Sequence, residues 1–228
     1  MPDESEEGLE ILVNQIAHDV RNHAFTMGLQ AEMGQRRSVG SPDVKAHFDT
    51  ILHQVDALRR YLDTLLLYGR PVKLAPTSVD PTVLVNENIA AVQFRETPAT
   101  TVEIGVETSG IVRQARWDTR AIGHALQAVL DNAIRSATPP PDVLIHVRGE
   151  EDHVTIEVRD GGQGIPADVL PKLLVPMAVR RPGAPGLGLA IARKMVAAHG
   201  GRLEIESPGS GTTVRFILPW EVAPAPAV

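Results

Sequence analysis

The clearest pattern in this chain begins with Asp160-Gly161-Gly162-Gln163-Gly164-Ile165-Pro166 and resumes at Gly186-Leu187-Gly188-Leu189-Ala190-Ile191. In the first segment, a carboxylate at the end of an alternating apolar run enters a glycine turn, where a buried acceptor can read the edge of a base. In the second, two glycines open a predicted helix, whose first backbone N–H groups can bind phosphate. Together the two segments predict a nucleotide site.

Helices and strands surround these segments in a mixed order. The apolar periodicities predict helices over Pro81–Phe94, Thr119–Ala137 and Gly186–Ala198. Alternating runs predict strands over Val102–Val106, Leu144–Val147, Val154–Val158, Leu203–Glu206 and Thr213–Leu218. This order is typical of an α/β sandwich, in which helices cover one face of a sheet, and we expect that domain to occupy residues 77–221.

The residues before this domain predict two long amphipathic helices. The first runs from Leu9 to about Arg37, and the second follows a short loop and ends at Gly69, with Pro71 just beyond. Apolar side chains repeat along the first helix at Leu9, Val13, Ile16, Val20, Ala24, Met27 and Ala31. Along the second they form a heptad seam of Phe48, Ile51, Val55, Leu58, Leu62 and Leu65.

These helices predict a hairpin over residues 9–69, joined by a proline-containing linker to the second domain. Two amphipathic helices bury too little apolar surface alone, so we expect a four-helix bundle in a homodimer. The alternative is a hairpin that folds back on its own chain. The expected fold class is therefore α+β, with an N-terminal two-helix hairpin followed by an α/β sandwich.

The composition excludes several classes of protein. The chain has 228 residues and a net charge of -6, which argues against non-specific nucleic-acid binding. It has no cysteine, which excludes disulfides and thiolate zinc sites, and its eight histidines lack metal-ligand spacing. Because no apolar run approaches the length of a membrane span, we expect a cytoplasmic chain with no membrane segment of its own. Its input would then come from a separate sensor or upstream protein.

Two polar residues on the predicted helix Thr119–Ala137 are candidates for the phosphate end of the site. Asn132 offers an amide oxygen, a ligand type that suits Mg²⁺. Arg135 lies three residues further on and shares that helix face, from which it can reach a phosphate. Each residue alone is equally typical of a solvated helix surface, so the prediction depends on the order and spacing of these residues together with the two glycine segments.

That order resembles the nucleotide-binding boxes of sensor histidine kinases, members of the ATPase superfamily shared with gyrase, the MutL proteins and the ninety-kilodalton heat-shock chaperones. The N, G1, G2 and G3 boxes are matched by Leu126–Ala133, Asp160–Pro166, Gly186–Ile191 with His199-Gly200-Gly201, and Gly211-Thr212-Thr213. The resemblance implies ATP as the nucleotide, held with Mg²⁺. It covers nearly the whole chain, from about residue 9 to residue 220.

The resemblance also implies a role for each matched residue. Asn132 would hold Mg²⁺, Asp160 would accept the adenine amino group, and Thr212 would support the base. The remaining nucleotide contacts would come from Gly162, Gly164, Arg135, Arg181, Gly186, Leu187 and Gly188. Residues 167–185 would form a short ATP lid, with Arg181 near its end as a phosphate-binding cation.

An upstream segment separates the kinases from the other superfamily members. Ala17-His18-Asp19-Val20-Arg21-Asn22 resembles the H box of the dimerisation and phosphotransfer domain. His18 is two residues from both Ile16 and Val20, about 200° from each around a helix, so it faces away from the apolar stripe. An exposed imidazole can attack a γ-phosphate, with Asp19 fixing its tautomer and Asn22 on the same face orienting a water or phosphoryl group.

The resemblance implies a two-component protein-histidine kinase, autophosphorylated on His18, that passes the phosphoryl group to the aspartate of a response-regulator receiver domain. Some positions depart from the family pattern: Ala128 replaces a frequent asparagine, His23 a frequent proline, and Leu174, Met177 and Ala178 replace lid phenylalanines. These departures keep open a catalytically degenerate histidine phosphotransferase or scaffold. A second alternative is a serine-kinase anti-sigma factor, which would not need His18-Asp19 on a long hairpin.

Overall fold

The computed structural model describes residues 4–37, 42–95, 103–136, 142–179 and 186–222. The chain divides into two compact units, with the division along the sequence between Pro71 and Val72. None of the helices in the described ranges is long and apolar enough to cross a membrane.

The first unit is a hairpin of two helices, α1 (Glu4–Arg37) and α2 (Pro42–Gly69). Helix α1 begins five residues before the start predicted at Leu9. Among the α1 side chains that the structure describes, which lie between Ala17 and Arg37, the buried residues are all small, namely Ala17, Ala24, Gly28 and Ala31. Opposite them α2 buries the larger side chains Val55, Leu62 and Leu66. Small residues on one helix allow the two backbones to approach closely.

Two glycines of α1 show how close that approach is. A Cβ added at Gly28 would lie 3.5 Å from Val55 Cγ1. At Gly34, a Cβ would lie only 2.1 Å from Cζ of Phe48, so the Phe48 ring occupies the space that a side chain would need. The hairpin therefore packs α2 side chains into gaps that glycine leaves on α1.

The apolar seam predicted for pairing between two chains is partly used within the hairpin itself. Val55 and Leu62 are 5% and 6% exposed in the single chain, because they face α1. In contrast, Met27 on α1 and Ile51 on α2 are 47% and 44% exposed. The seam prediction is wrong where it assigns Val55 and Leu62 to a surface open to a second copy.

The second unit contains a five-stranded mixed sheet. In chain order, the helices and strands of this unit are β1 (Thr77–Val79), α3 (Pro81–Arg95), β2 (Glu103–Gly110), β3 (Ala115–Trp117), α4 (Thr119–Ser136), β4 (Asp142–Gly149), β5 (His153–Asp160), a 3₁₀ turn (Leu170–Lys172), α5 (Gly188–Ala198), β6 (Arg202–Glu206) and β7 (Thr212–Pro219). The sheet order is β2-β4-β5-β7-β6, in which only β2 and β4 run parallel. Strands β1 and β3 form a separate antiparallel pair.

Burial alternates along the central strands of this sheet. On β4 the buried side chains are Val143, Ile145 and Val147, and the alternating buried apolar ones on β5 and β7 are Val154, Ile156, Val158, Val214, Phe216 and Leu218. Thr155 and Ile217, which alternate with these, are also buried. Helix α4 buries nine residues on its apolar side. On the opposite face of the sheet, Arg215 pairs with Glu157 and Glu206. One face is thus covered by helices and the other carries charged pairs, which confirms the predicted α/β sandwich.

Two features of this unit differ from the prediction. Helix α5 begins at Gly188, two residues after the predicted start, because Gly186 has φ +73° and cannot continue a right-handed helix. Strands β1 and β3 were not predicted. Each has only three residues, which is too short for an apolar alternation to be visible in the sequence.

A fully buried histidine joins the two helices on either side of the predicted nucleotide site. At the end of α5, His199 Nδ1–H donates to the Met195 carbonyl at 2.7 Å, and Nε2 accepts from the Asp118 N–H at 3.0 Å. Asp118 Oδ1 in turn accepts from the N–H groups of Arg120 and Ala121 at the start of α4. Burial lowers the pKa of His199 below its ordinary value of 6.5, so the neutral imidazole is the folded form.

This histidine predicts a loss of stability on acidification. An unfolded chain binds a proton at His199 more readily than the folded chain does, so the free energy of unfolding should fall as the pH drops below about 6.5. One proton limits the slope to about 1.4 kcal/mol per pH unit. This slope can be measured by urea unfolding at several pH values between about 7.5 and 5.5, roughly the range in which histidine titrates. A His199→Gln variant should show a flatter pH dependence, and parallel curves for the two chains would contradict the assignment.

Candidate functional site

Asp160 lies at the end of β5 and is only 6% exposed. Its Oδ1 accepts hydrogen bonds from the backbone N–H of Gly162 at 2.9 Å and from that of Thr212 at 3.2 Å. The carboxylate therefore ties the glycine turn after β5 to the first residue of β7. Because Asp160 is buried and held by backbone donors, its position is fixed before any ligand binds.

Glycines allow the loops beside Asp160 to pack backbone against backbone. Gly164 has φ +76°, and a Cβ there would lie 1.9 Å from the Gly209 carbonyl oxygen. Gly211 has φ +77°, and its N–H donates to the Gly162 carbonyl at 2.7 Å. The loop after β5 and the loop before β7 are thus held together by contacts that a side chain at Gly164 or Gly211 would prevent.

The buried carboxylate faces a pocket between α4 and the sheet. Its polar lining comes from four residues, namely Asn132, Ser136, Asp160 and Thr212. Its apolar lining includes Val129, Val158, Ile165 and Leu189. The pocket is small in this structure, about 10 Å³, but its lining, mostly apolar with a few convergent polar groups, is typical of small-molecule sites. The structure therefore brings Asn132, Asp160 and Thr212 together, although they are far apart in sequence.

The second glycine segment borders the same pocket. A Cβ at Gly186 would lie 2.3 Å from the Val179 carbonyl, and the N–H of Met177, itself at φ +60°, donates to the Gly186 carbonyl at 3.0 Å. Leu187 is fully buried, and Gly188 begins α5 beside Ala128 of α4. The N-terminus of α5, with its backbone N–H groups, therefore lies next to the α4 face that carries Asn132.

The two arginines predicted to bind phosphate have different outcomes. The Arg135 side chain is exposed, and its Nε donates to the Asp131 carbonyl of its own helix at 3.0 Å. Arg135 is not among the residues that line the pocket. Arg181 lies outside the described residues.

The candidate phosphoacceptor is on the helical hairpin. His18 is exposed, and the Nδ2 atom of Asn22 lies 3.2 Å from its Nδ1. Asp19 is in helix α1, but its side chain lies outside the described part of the chain. One turn from His18, the Arg21 guanidinium forms an ion pair with Asp63 of α2 at 2.6 Å. The hairpin thus places a nucleophile, an amide and a cation on neighbouring exposed positions.

Sequence reasoning missed two serines of the site. Ser136 lines the pocket, and its carbonyl would lie 2.5 Å from a Cβ at Gly162. Ser207 Oγ accepts from the Ile165 N–H and donates to the Gly211 carbonyl, both at 2.7 Å. Ser207 precedes Pro208-Gly209, and serine is common in turns of this kind, so the sequence could have indicated a turn role for Ser207. Nothing in the local sequence around Ser136 distinguishes it from any serine at the end of a helix.

Comparisons with known proteins agree with this arrangement. Residues 117–222 match the family described as histidine kinase-, DNA gyrase B-, and HSP90-like ATPase. The signal transduction histidine-protein kinase AtoS of Escherichia coli (strain K12) is 25% identical over 210 residues, which are 91% of this chain and 34% of AtoS. The chain therefore spans about a third of the length of that relative.

Two solved structures share the fold. Full-length ShkA in complex with AMPPNP has a TM-score of 0.78 and 19% sequence identity, over 95% of this chain and 47% of ShkA. The histidine kinase ThkA in complex with the response regulator protein TrrA has a TM-score of 0.69 and 22% identity, over 95% of this chain and 64% of ThkA. Both similarities include the N-terminal helices as well as the sheet.

Proposed function

We propose that this chain is a two-component protein-histidine kinase. Residues 117–222 match the histidine kinase-, DNA gyrase B-, and HSP90-like ATPases, the kinase AtoS is similar to 91% of the chain, and the fold is similar to that of ShkA. The observation that carries the proposal is the pocket in which the buried Asp160 and Thr212 converge with the half-buried Asn132. The exposed His18 on the hairpin supplies the group to be phosphorylated.

ATP is the nucleotide that fits the pocket's polar groups. The Asp160 carboxylate can accept a hydrogen bond from the adenine amino group, and the N-terminus of α5 can donate backbone N–H groups to phosphates. The half-buried Asn132 offers an amide oxygen at the pocket wall, which suits a hard cation such as Mg²⁺. When bound, Mg²⁺ neutralises phosphate charge during the transfer.

The proposed reaction has two phosphoryl transfers. In the first, a neutral ring nitrogen of His18 donates its lone pair to the γ-phosphorus of ATP, the bond to the β–γ bridging oxygen breaks, and ADP leaves. The proton on the other ring nitrogen passes to the neighbouring Asp19 carboxylate or to water, and Asn22 orients the ring. In the second transfer, an aspartate oxygen of a response-regulator receiver domain attacks the phosphorus and the nitrogen–phosphorus bond breaks.

The partners follow from this reaction. ThkA was solved with a response regulator, and we assign a partner of the same kind to this chain. Because ATP and receiver domains are both cytoplasmic, we place this part of the protein in the cytoplasm. A separate sensor or upstream protein would supply the input.

The test is incubation of the chain with Mg²⁺ and γ-labelled ATP. We expect label on the protein that is lost in acid and kept in alkali, as for a nitrogen–phosphorus bond. Absence of label, with ATP bound normally, would overturn the kinase assignment.

A second candidate is a degenerate histidine phosphotransferase. It is favoured by Ala128, which puts a methyl group beside Gly188 where relatives often carry an amide. Such a chain would take label from a phosphorylated receiver domain but not from ATP, so the same experiment with the two donors separates the candidates.

We also propose that the chain is a homodimer, paired through the side chains that remain exposed on the hairpin. Met27→Glu or Ile51→Glu should make the chain monomeric, because each places a charge in an apolar contact. Light scattering measures the mass. Val83→Glu is the matched control, since Val83 is 51% exposed but lies on α3 in the other unit. A monomeric wild-type chain would contradict the proposal.

A further inference from the structure

The ion pair between Arg21 and Asp63 lies one helical turn from His18. The two atoms Arg21 Nη2 and Asp63 Oδ1 are 2.6 Å apart, and the side chains are 45% and 64% exposed. The pair connects α1 to α2. We propose that Arg21 exchanges Asp63 for the phosphoryl group once His18 is phosphorylated, an inference that rests on the proposed function.

The helix geometry puts Arg21 within reach of that group. Arg21 follows His18 by three residues, so their Cβ atoms are about 5–6 Å apart on neighbouring positions of the helix surface. Helical side chains lean toward the N-terminus, which tilts the Arg21 side chain toward His18 rather than away from it. The guanidinium therefore needs only side-chain rotation to leave Asp63 and meet a phosphoryl oxygen.

The charges favour this exchange. A phosphoryl group brings close to two negative charges and three strong acceptor oxygens. Arginine binds such a group with paired, charge-assisted hydrogen bonds, which are stronger than an ion pair exposed to solvent. Phosphorylation of His18 would thus break one contact between α1 and α2 and release Asp63.

The exchange predicts opposite effects for the two halves of the ion pair. At a fixed ratio of ATP to ADP, Arg21→Gln should lower the ratio of phosphorylated to free His18 about tenfold, because the phosphoryl group loses its cation. Asp63→Asn should raise that ratio about 2–5-fold, because Arg21 no longer has to leave a carboxylate. Intact-mass spectrometry of the full chain measures the ratio.

Arg59→Gln is the matched control. Arg59 also forms an exposed ion pair in the hairpin, with Asp56 at 3.3 Å, but it lies on α2 and stacks over Phe25. The Arg59→Gln variant should leave the phosphorylated fraction of His18 unchanged. Arg21→Gln and Asp63→Asn remove the same ion pair, so a purely structural role would move both variants in the same direction. That result, or no change in either variant, would overturn the proposal.

A second measurement does not depend on the kinase reaction. Phosphoramidate phosphorylates imidazole directly, since its phosphorus–nitrogen bond breaks and ammonia leaves as the ring nitrogen bonds to phosphorus. In a nitrogen–proton correlation spectrum, the Arg21 Nε–H resonance should shift on this treatment, and the Arg59 resonance should not. His18→Gln gives the background. A shift without label from ATP would overturn the kinase proposal alone, whereas labelling from ATP without a shift would overturn the exchange alone.

Discussion

A His18→Gln chain is expected to bind ATP as tightly as the wild type and to take up no label from γ-labelled ATP. Glutamine is polar and a good helix former, so it should keep α1 intact at this exposed position. It lacks a nitrogen lone pair that can attack phosphorus. The nucleotide pocket is in the other unit, so ATP affinity, measured by calorimetry, should not change.

His23→Gln is the control for this experiment. His23 is also exposed on α1 and lies five residues further on, about 140° around the helix from His18. Its replacement should leave labelling as it is in the wild type. Undiminished labelling of the His18→Gln chain, or loss of labelling in the His23→Gln chain, would remove His18 from the role of phosphoacceptor.

Strands and helices with one buried face were predictable from the sequence. Strands β4 and β5 alternate apolar and polar residues because the helices cover only one face of the sheet. Helix α4 shows a helical period for the same reason. Strand β3 has three residues and is fixed by distant contacts, such as the hydrogen bond from Trp117 Nε1 to the Pro219 carbonyl. A contact across a hundred residues leaves no local pattern.

The hairpin shows a different limit of prediction from sequence. An apolar seam identifies the face that a helix buries, but not whether its partner is the same chain or a second copy. Ala17, Ala24 and Gly28 carry little apolar surface and stand out weakly in a hydrophobic pattern, yet they allow α2 to approach closely. Val55 and Leu62 consequently face α1, although the seam alone suggested pairing between chains.

The candidate site was predictable in its residue types and order. Asp160, Asn132 and Thr212 could be chosen because a carboxylate, an amide and glycine turns follow one another at informative spacings. The orientation of an exposed side chain was not predictable in this way. Arg135 shares a helix with Asn132, but its guanidinium is bound to its own helix backbone. The start of α5 depended on the φ of +73° at Gly186, which lies against the Val179 carbonyl seven residues earlier. The sequence alone does not show which glycine takes a positive φ.

Asp160→Asn is expected to weaken ATP binding about 10–100-fold while the fold is retained. The amide oxygen can still accept from the N–H groups of Gly162 and Thr212, which keeps the loop in place. The amide nitrogen replaces an acceptor that must pair with the adenine amino group. Loss of a hydrogen bond to a charged group costs about 1.5–3 kcal/mol. GTP, which presents a carbonyl at that position of the ring, should lose no affinity, so the preference for adenine should disappear.

Calorimetric titrations with ATP and GTP test this expectation, and Asp152→Asn supplies the control. Asp152 precedes β5, at the opposite end from Asp160, and its carboxylate is exposed and bonded to His153. The same chemical change there should leave both affinities unaltered. Equal affinities of the wild-type chain for ATP and GTP would contradict the role of Asp160, because a fixed acceptor at the base edge must discriminate between an amine and a carbonyl.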